Sequence, residues 1–457
     1  MVLPGGPWRV AAWAAGVIAA AAAAVLVVNR FDQDLAPEAR EYYASGATPP
    51  LDESSGFAMI VGLAAPAGED PRRFALAWAE SVKAWARDGR RPPAASGQLT
   101  VRAAPEVICR PEEFDCPAQL GGKPQTVADL VADHAVLLQR YRELQGLSGL
   151  ADAGIGIDFE GPMANYGAVL QAQGVFLSDV AAKAAAGDFD RALADLEADA
   201  AFYRRWLGEG RLIVAKMVAL RGLTRDLQLA MQVARRAGEA TPSQRAALRR
   251  IATPLSPGQR SLRNPIRFEA AIVPLLVDRA LEGRKARERM LAGEGPLLAH
   301  LMGMNLLRNA TLNHAHQHFR LWEALDAVES RDLPVRIAET RRQSDAMARP
   351  QWHWLYNFGG KLLVARSWAG VDSYLYRIRN VDALAHAACA MFDLREHAIP
   401  PGDVEVYLAN SATACRDPYT GHPFRWDRAT RRLWTASRDG GAVERFGGDG
   451  RIAVAPY

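Results

Sequence analysis

The chain has 457 residues, 49 % of them hydrophobic and 23 % charged, and a formal net charge of +4. Such apolar content buries a large core and leaves room for two or three domains of roughly 100 to 200 residues, which excludes an intrinsically disordered chain. A charge this close to balance lacks the concentrated basic face of a nucleic-acid binder. Only six basic residues are lysine (Lys83, Lys123, Lys183, Lys216, Lys285 and Lys361), and with the abundant alanine this arginine bias points to a high-GC bacterial gene.

Val10 to Val28 is uncharged and bounded by Arg9 and Arg30. About 20 apolar residues suffice for one helical membrane crossing. Val25, Leu26, Val27 and Val28 stand where a signal peptide would carry small residues, so residues 1–30 are expected to be a cytoplasmic tip and an uncleaved transmembrane anchor. Charge alone leaves the orientation open, because Arg9 opposes Arg30 while Asp32 and Asp34 follow. The four cysteines point to the periplasm. They fall into two local sets, Cys109 with Cys116 and Cys389 with Cys415, without CxxC spacing, which suits disulfides in an oxidising compartment. A Cys389–Cys415 bridge would tie the last long helix to the tail and contribute about 3 kcal/mol.

Residues 31–72, with ATPP and APAGEDP, read as linker and loops. A helical body over 73–410 is expected next. Phe74, Trp78, Val82 and Trp85 predict a helix over Arg73–Arg87. Thr126 with Asp129 resembles a capping box, opening a helix whose stripe Val127, Leu130, Val131, Leu138 and Tyr141 would include His134 as a packed core histidine. From Pro162 to Gly238 the pattern is helical, broken at Gly187–Asp188 and at Gly208–Gly210. Thr241 to Gln244 (TPSQ), Asn264–Pro265 and Gly295–Pro296 mark further starts. Long helices with short Gly and Pro breaks predict an antiparallel helical array or bundle. The segment Ala184 to Asp199 resembles half of a tetratricopeptide unit, but no 34-residue recurrence accompanies it, so it reads as a helix hairpin. In the tail, 411–457, Pro423–Trp426 and Arg432–Ala436 predict two strands joined by DRATR. The expected fold class is mainly α: a transmembrane helix, a helical bundle and a small C-terminal β-hairpin.

Asp417, Pro418, Gly421, Pro423, Phe424 and Trp426, followed by Ser437, Asp439 and Gly440, resemble the C-terminal hairpin signature of type II secretion major pseudopilins. That resemblance covers about forty residues and implies a calcium-binding loop, for which Asp439 and Asp449 would supply carboxylates. The chain departs from the family in lacking its cleavage glycine, phenylalanine and glutamate before the hydrophobic helix. The layout of alanine-rich anchor, helical body and DPYTG hairpin also resembles membrane-anchored bacterial envelope proteins, which implies no activity.

The stretch NHAHQHFRLW, Asn313 to Trp322, carries three of the nine histidines. On a helix His314 and His318 share one face at the separation that can grip zinc, while His316 points elsewhere. A third ligand, such as His300 or His353, would have to come from the fold. The bland alternative is three histidines on and beside a polar face next to the stripe Phe319, Trp322, Leu325. The aromatic cluster Trp352, Trp354 and Tyr356 could line a ligand groove or fill a core. GIGIDFEG at Gly154–Gly161 lacks the context of a dinucleotide loop, and neither a GxSxG elbow nor a P-loop occurs. The run Gly283–Arg289 reads as a solvated helix face. With no complete catalytic set, the leading expectation is a single-pass inner-membrane protein whose periplasmic body is a scaffold or binding module for protein partners in the cell envelope. The alternatives are a periplasmic metal-dependent enzyme built on His314 and His318, and a calcium-stabilised accessory of a secretion or pilus assembly.

Overall fold

The computed structural model describes residues 7–88, 97–153, 163–283, 285, 305–349, 352–366, 370–411, 415–436 and 451–453. The apolar N-terminal run forms α1 (Pro7–Val28), and it is followed by α2 (Pro37–Ser45), α3 (Gly56–Gly62), α4 (Pro71–Asp88), α5 (Cys116–Leu120), α6 (Pro124–Asp133) and α7 (Ala135–Gln145). Then come α8 (Tyr166–Ala185), α9 (Phe189–Glu209), α10 (Ile213–Arg236), α11 (Pro242–Ile251), α12 (Pro257–Arg260), α13 (Arg263–Leu281) and α14 (Arg308–Glu323). The helices end with α15 (Leu333–Ala348), α16 (Phe358–Arg366), α17 (Val371–Glu396) and α18 (Val404–Asn410). Three short strands follow, β1 (Arg425–Asp427), β2 (Arg432–Ala436) and β3 (Arg451–Ala453), antiparallel in the order β1-β2-β3. The fold is mainly helical with a small C-terminal sheet, as the patterning implies.

Helix starts follow local chemistry. Side chains of Asp115, Asp188, Thr241 and Ser256 accept from the backbone N–H groups of Ala118, Arg191, Gln244 and Gln259. Thr241 completes the expected capping box, with Gln244 reaching back to its backbone. The break at Gly187 is sharp because this glycine takes φ +86°, a left-handed conformation that costs it little.

Two compact units divide the chain: one comprises Met1–Ala47, Arg267–Glu323 and Ala338–Ala369, the other Thr48–Ile266, Ala324–Ile337 and Gly370–Tyr457. In the first, α1 projects with a window, Ala11–Val28, of mean hydropathy 2.3 and none of it buried. Here α2 packs on α14 through Tyr42, whose ring lies 4.9 Å from that of His316 and 6.3 Å from that of Phe319. Gly46, at the end of α2, lies so close to α13 that a Cβ would meet the Arg267 carbonyl at 2.0 Å. The second unit is built on α8, α9 and α10, with Phe176, Phe202, Tyr203 and Trp206 fully buried among them.

Several expectations require correction. Residues 31–72 are not linker and loops: α2 and α3 lie there, and every residue of α3 is buried. The helix expected from Thr126 starts at Pro124 and stops at Asp133. His134 leaves the helical region (φ −112°, ψ 21°) because its Nδ1 bonds the Leu130 carbonyl at 2.8 Å while Nε2 accepts from Arg102 N–H at 3.3 Å. It is a half-buried hinge between α6 and α7 rather than a packed core residue. The start expected at Gly295–Pro296 and the GIGIDFEG loop lie outside the described residues.

Both cysteine pairs are at bonding distance, with Cα–Cα separations of 5.4 Å for Cys109–Cys116 and 5.8 Å for Cys389–Cys415. The second joins α17 to the segment leading into the tail.

Candidate functional site

The exit of the apolar helix is built into the first unit by a chain of hydrogen bonds. Asn29 clamps the backbone ahead of α16: its Nδ2 donates to the Leu355 carbonyl at 2.7 Å and its Oδ1 accepts from Asn357 N–H at 2.8 Å. Asp32 caps α14 from a distant part of the sequence, accepting from Asn309 N–H at 2.8 Å and Ala310 N–H at 2.9 Å. Those N–H groups would otherwise lack an intrahelical partner, and a carboxylate also suits the positive end of the helix dipole. Asn313 completes the latch, donating to the Asp34 carbonyl at 2.9 Å and accepting from Ala36 N–H at 3.0 Å. Tyr356 OH donates to the Phe31 carbonyl at 3.1 Å.

Beside this latch lies an open cleft of about 440 Å³, lined by Gln33, Asn313, His314, Gln317, Tyr356 and Lys361, with Ala310, Ala346, Met347 and Asn357 completing the wall. Lys361 donates to the Tyr356 carbonyl at 3.0 Å, and partial burial lowers its pKa. Asn357 holds the wall in place from the left-handed region (φ 56°), its Oδ1 accepting from Leu307 N–H at 2.9 Å and its Nδ2 donating to Thr311 Oγ1 at 3.1 Å. The cleft is thus lined by amide, imidazole, phenol and ammonium groups, with small apolar side chains at Ala310 and Ala346.

The three histidines of α14 have three different surroundings. His314 opens into the cleft. His316 packs on Tyr42. His318 is 3 % exposed, its Nε2 accepting from Trp322 Nε1–H at 3.3 Å with Ser344 Oγ at 3.4 Å, and burial pushes its pKa down to about 4. His314 and His318 both turn toward α15: His314 lines the cleft with Ala346 and Met347, and His318 lies beside Ser344. Among the described residues no group of three or more His, Cys, Asp or Glu side chains could hold a metal ion. No protein family, curated protein or solved structure matches the chain.

Of the aromatic cluster, Tyr356 reaches the cleft, whereas Trp354 is 4 % exposed and stands edge-on to Phe358 at 5.7 Å. The side chains of Trp352 and His353, together with His300, both calcium candidates Asp439 and Asp449, and Ser437 and Gly440 of the tail signature, lie outside what is described. The described part of the tail signature packs the hairpin onto α17. Asp417 is buried and accepts from Tyr419 N–H at 2.9 Å and Thr435 Oγ1–H at 2.6 Å, while Tyr419 OH donates to Asn380 Oδ1 at 2.6 Å on α17. Phe424 and Trp426 are buried as well.

A buried polar cluster in the second unit was not anticipated. Asp199 on α9 and Asp226 on α10 are both fully buried. Asp199 accepts from Tyr141 OH at 2.6 Å, Gln145 Nε2 at 2.8 Å and Gln173 Nε2 at 3.2 Å. Asp226 receives Gln173 Nε2 at 3.1 Å on Oδ1, and its Oδ2 has no donor. Burial, then the charge of Asp199 and a hydrogen bond to it, hold the Asp226 pKa well above the carboxylate range. A proton on Asp226, donated to Asp199, resolves both the unmatched oxygen and the like-charge contact. Tyr203 OH, 3.0 Å from Tyr141 OH, extends the network. Its ring crosses Gly222 so closely that a Cβ there would sit 2.1 Å from Tyr203 Cζ. Both aspartates fall on otherwise apolar stripes, Leu193–Leu196–Asp199–Tyr203 and Ala219–Leu223–Asp226–Ala230, and a carboxylate on a core stripe is the signal that could have revealed them.

Proposed function

We propose that the protein is a permanently membrane-anchored binding or scaffold module of the bacterial envelope, held by an uncleaved N-terminal helix with the folded chain in the periplasm. The observation that carries this reading is the latch: Asn29 and Asp32, immediately beyond the apolar helix, supply hydrogen bonds that α14 and the entry to α16 depend on. The helix end and the latch share a side chain, because the Asn29 amide that reaches Leu355 also donates to the Val25 carbonyl inside the apolar helix at 2.8 Å. The two cysteine pairs support an oxidising compartment. The polar cleft, rather than a catalytic constellation, is the feature of the first unit open to a partner.

The test is to express the full chain in a bacterium, extract membranes with alkaline carbonate and weigh the retained protein by mass spectrometry. Intact mass in the pellet, with the body cleaved only by protease added to spheroplasts from outside, is the expected result. A shortened, soluble chain lacking residues before Asn29 would overturn the reading.

A further inference from the structure

We infer that the face of the first unit around the anchor exit rests on the bilayer, and that its cleft receives the phosphate of an anionic phospholipid headgroup. This rests on the anchor reading above. The geometry begins with distance along the chain. Gln33 is on the cleft wall five residues beyond Val28, where the apolar helix ends, and five residues span at most about 18 Å even when fully extended. The chain does not extend here: Arg30 N–H and Phe31 N–H bond back to the carbonyls of Val27 and Val28, at 3.0 and 3.3 Å. The cleft wall therefore begins within a few residues of the membrane surface, where headgroups add about 5 to 7 Å on each side of the hydrocarbon core.

The side chains at that level suit an interface. Phe31 is 69 % exposed and Leu355 57 %, and the two segments are joined through Asn29 and Tyr356. Together they continue the apolar surface of α1 past its end. Tyr356 presents an aromatic ring with a polar tip, the kind of side chain enriched where hydrocarbon meets water. Arg30 is exposed next to the exit, and Lys361 and His314 both line the cleft. Asp32, the nearest acid on the same segment, is engaged by the N–H groups of α14. A cleft of about 440 Å³ takes a phosphodiester with its glycerol.

The experiment uses the full chain in detergent. Retention of phosphatidylglycerol, phosphatidylcholine and inorganic phosphate is measured by native mass spectrometry for wild type, Lys361→Gln and Lys361→Arg. The expected result is one retained phosphatidylglycerol per chain, bound about tenfold more weakly in Lys361→Gln and restored in Lys361→Arg, with inorganic phosphate failing to displace it. Equal retention of both lipids, or no effect of Lys361→Gln, would overturn the headgroup site. Lys361-dependent binding of inorganic phosphate that displaces the lipid would assign the cleft to a soluble phosphate and overturn the lipid source. Release of the chain by alkaline carbonate would defeat the anchor reading itself, whereas a membrane-retained Lys361→Gln chain with unaltered lipid binding would defeat the headgroup inference alone.

Discussion

Replacing Asp226 by asparagine tests whether the second unit carries a buried proton. A carboxylic acid whose folded pKa lies above its unfolded value of 3.8 contributes stability that is complete below that value and is lost as pH rises through the folded pKa. While the folded form holds the proton and the unfolded form does not, the loss is about 1.4 kcal/mol for each pH unit. The window opens near pH 4 and extends upward, because burial and the Asp199 charge both move Asp226 in the same direction. Asp199 is raised by burial too, although Tyr141, Gln145 and Gln173 oppose this with hydrogen bonds. The other charged and titratable groups that interact with Asp226 include Tyr141 from α7, Tyr203 and Arg204 from α9, and Arg225 from α10.

Asparagine is nearly isosteric, cannot ionise, and can donate to Asp199 from the position of the proposed proton. Asp226→Asn should therefore unfold at higher urea than wild type at pH 7 and gain least at pH 4 to 5. The difference in stability should widen as pH rises above 4, by about 1.4 kcal/mol for each pH unit over which Asp226 keeps its proton, read from hydrogen exchange of α8, α9 and α10 peptides across a urea series. Parallel pH profiles for the two proteins would mean that Asp226 ionises normally in the fold, and the shared-proton account would fail.

Gly222→Ala should lower the melting temperature of the second unit sharply, because its methyl group would occupy the Tyr203 ring; overpacking of this kind costs about 1 to 3 kcal/mol, and a shift within error on calorimetry would contradict the close crossing of α9 and α10. His318 responds to pH in the opposite sense from Asp226. Its folded pKa of about 4 lies below the unfolded 6.5, so its stabilising share is whole above pH 6.5 and falls away toward pH 4, by up to about 3 kcal/mol. His318→Gln should flatten the acid limb of unfolding measured on α14 and α15 peptides, and an unchanged limb would remove the histidine from its cause. Cys415→Ser should expose the tail, raising hydrogen exchange across β1 and β2 while α8 to α10 stay protected; a bridge closing a loop of this span contributes about 3 kcal/mol, and unchanged exchange would show the Asp417 and Tyr419 contacts to be sufficient.

Features governed by neighbours in sequence were legible before any fold was known. The apolar run, the capping box at Thr241, the turn at Gly187 and the two tail strands each depend on a handful of adjacent residues. The pairing of the cysteines was legible because few alternatives existed. Local rules failed where one side chain could satisfy the backbone in two ways. His134 continues the stripe of α6 by spacing, yet its ring takes the Leu130 carbonyl and lets the chain turn. Residues 31–72 misled for a related reason: Pro37 and Pro71 punctuate the sequence as if in loops, but each opens a helix, where proline lacks nothing by having no N–H.

The polar chemistry was hardest to read, because its partners come from distant segments. Tyr141 and Asp199 are 58 residues apart, and Asp32 and Ala310 are 278 apart. In one dimension Asp199 is another charged residue of an amphipathic helix. Its position three residues after Leu196 and four before Tyr203 places it inside, and only the arrival of Tyr141, Gln145 and Gln173 from other helices makes that position tolerable. The same reasoning answers the histidine-rich stretch. Its histidines drew attention as ligands, but the residue that ties it to the anchor exit is Asn313, whose amide both donates to and accepts from the backbone that leaves the apolar helix. An amide suits that role because one side chain matches a carbonyl and an N–H at once, which an imidazole can do only in a single tautomer. Substituting Asn313 should therefore disturb the anchor exit more than substituting any of the three histidines.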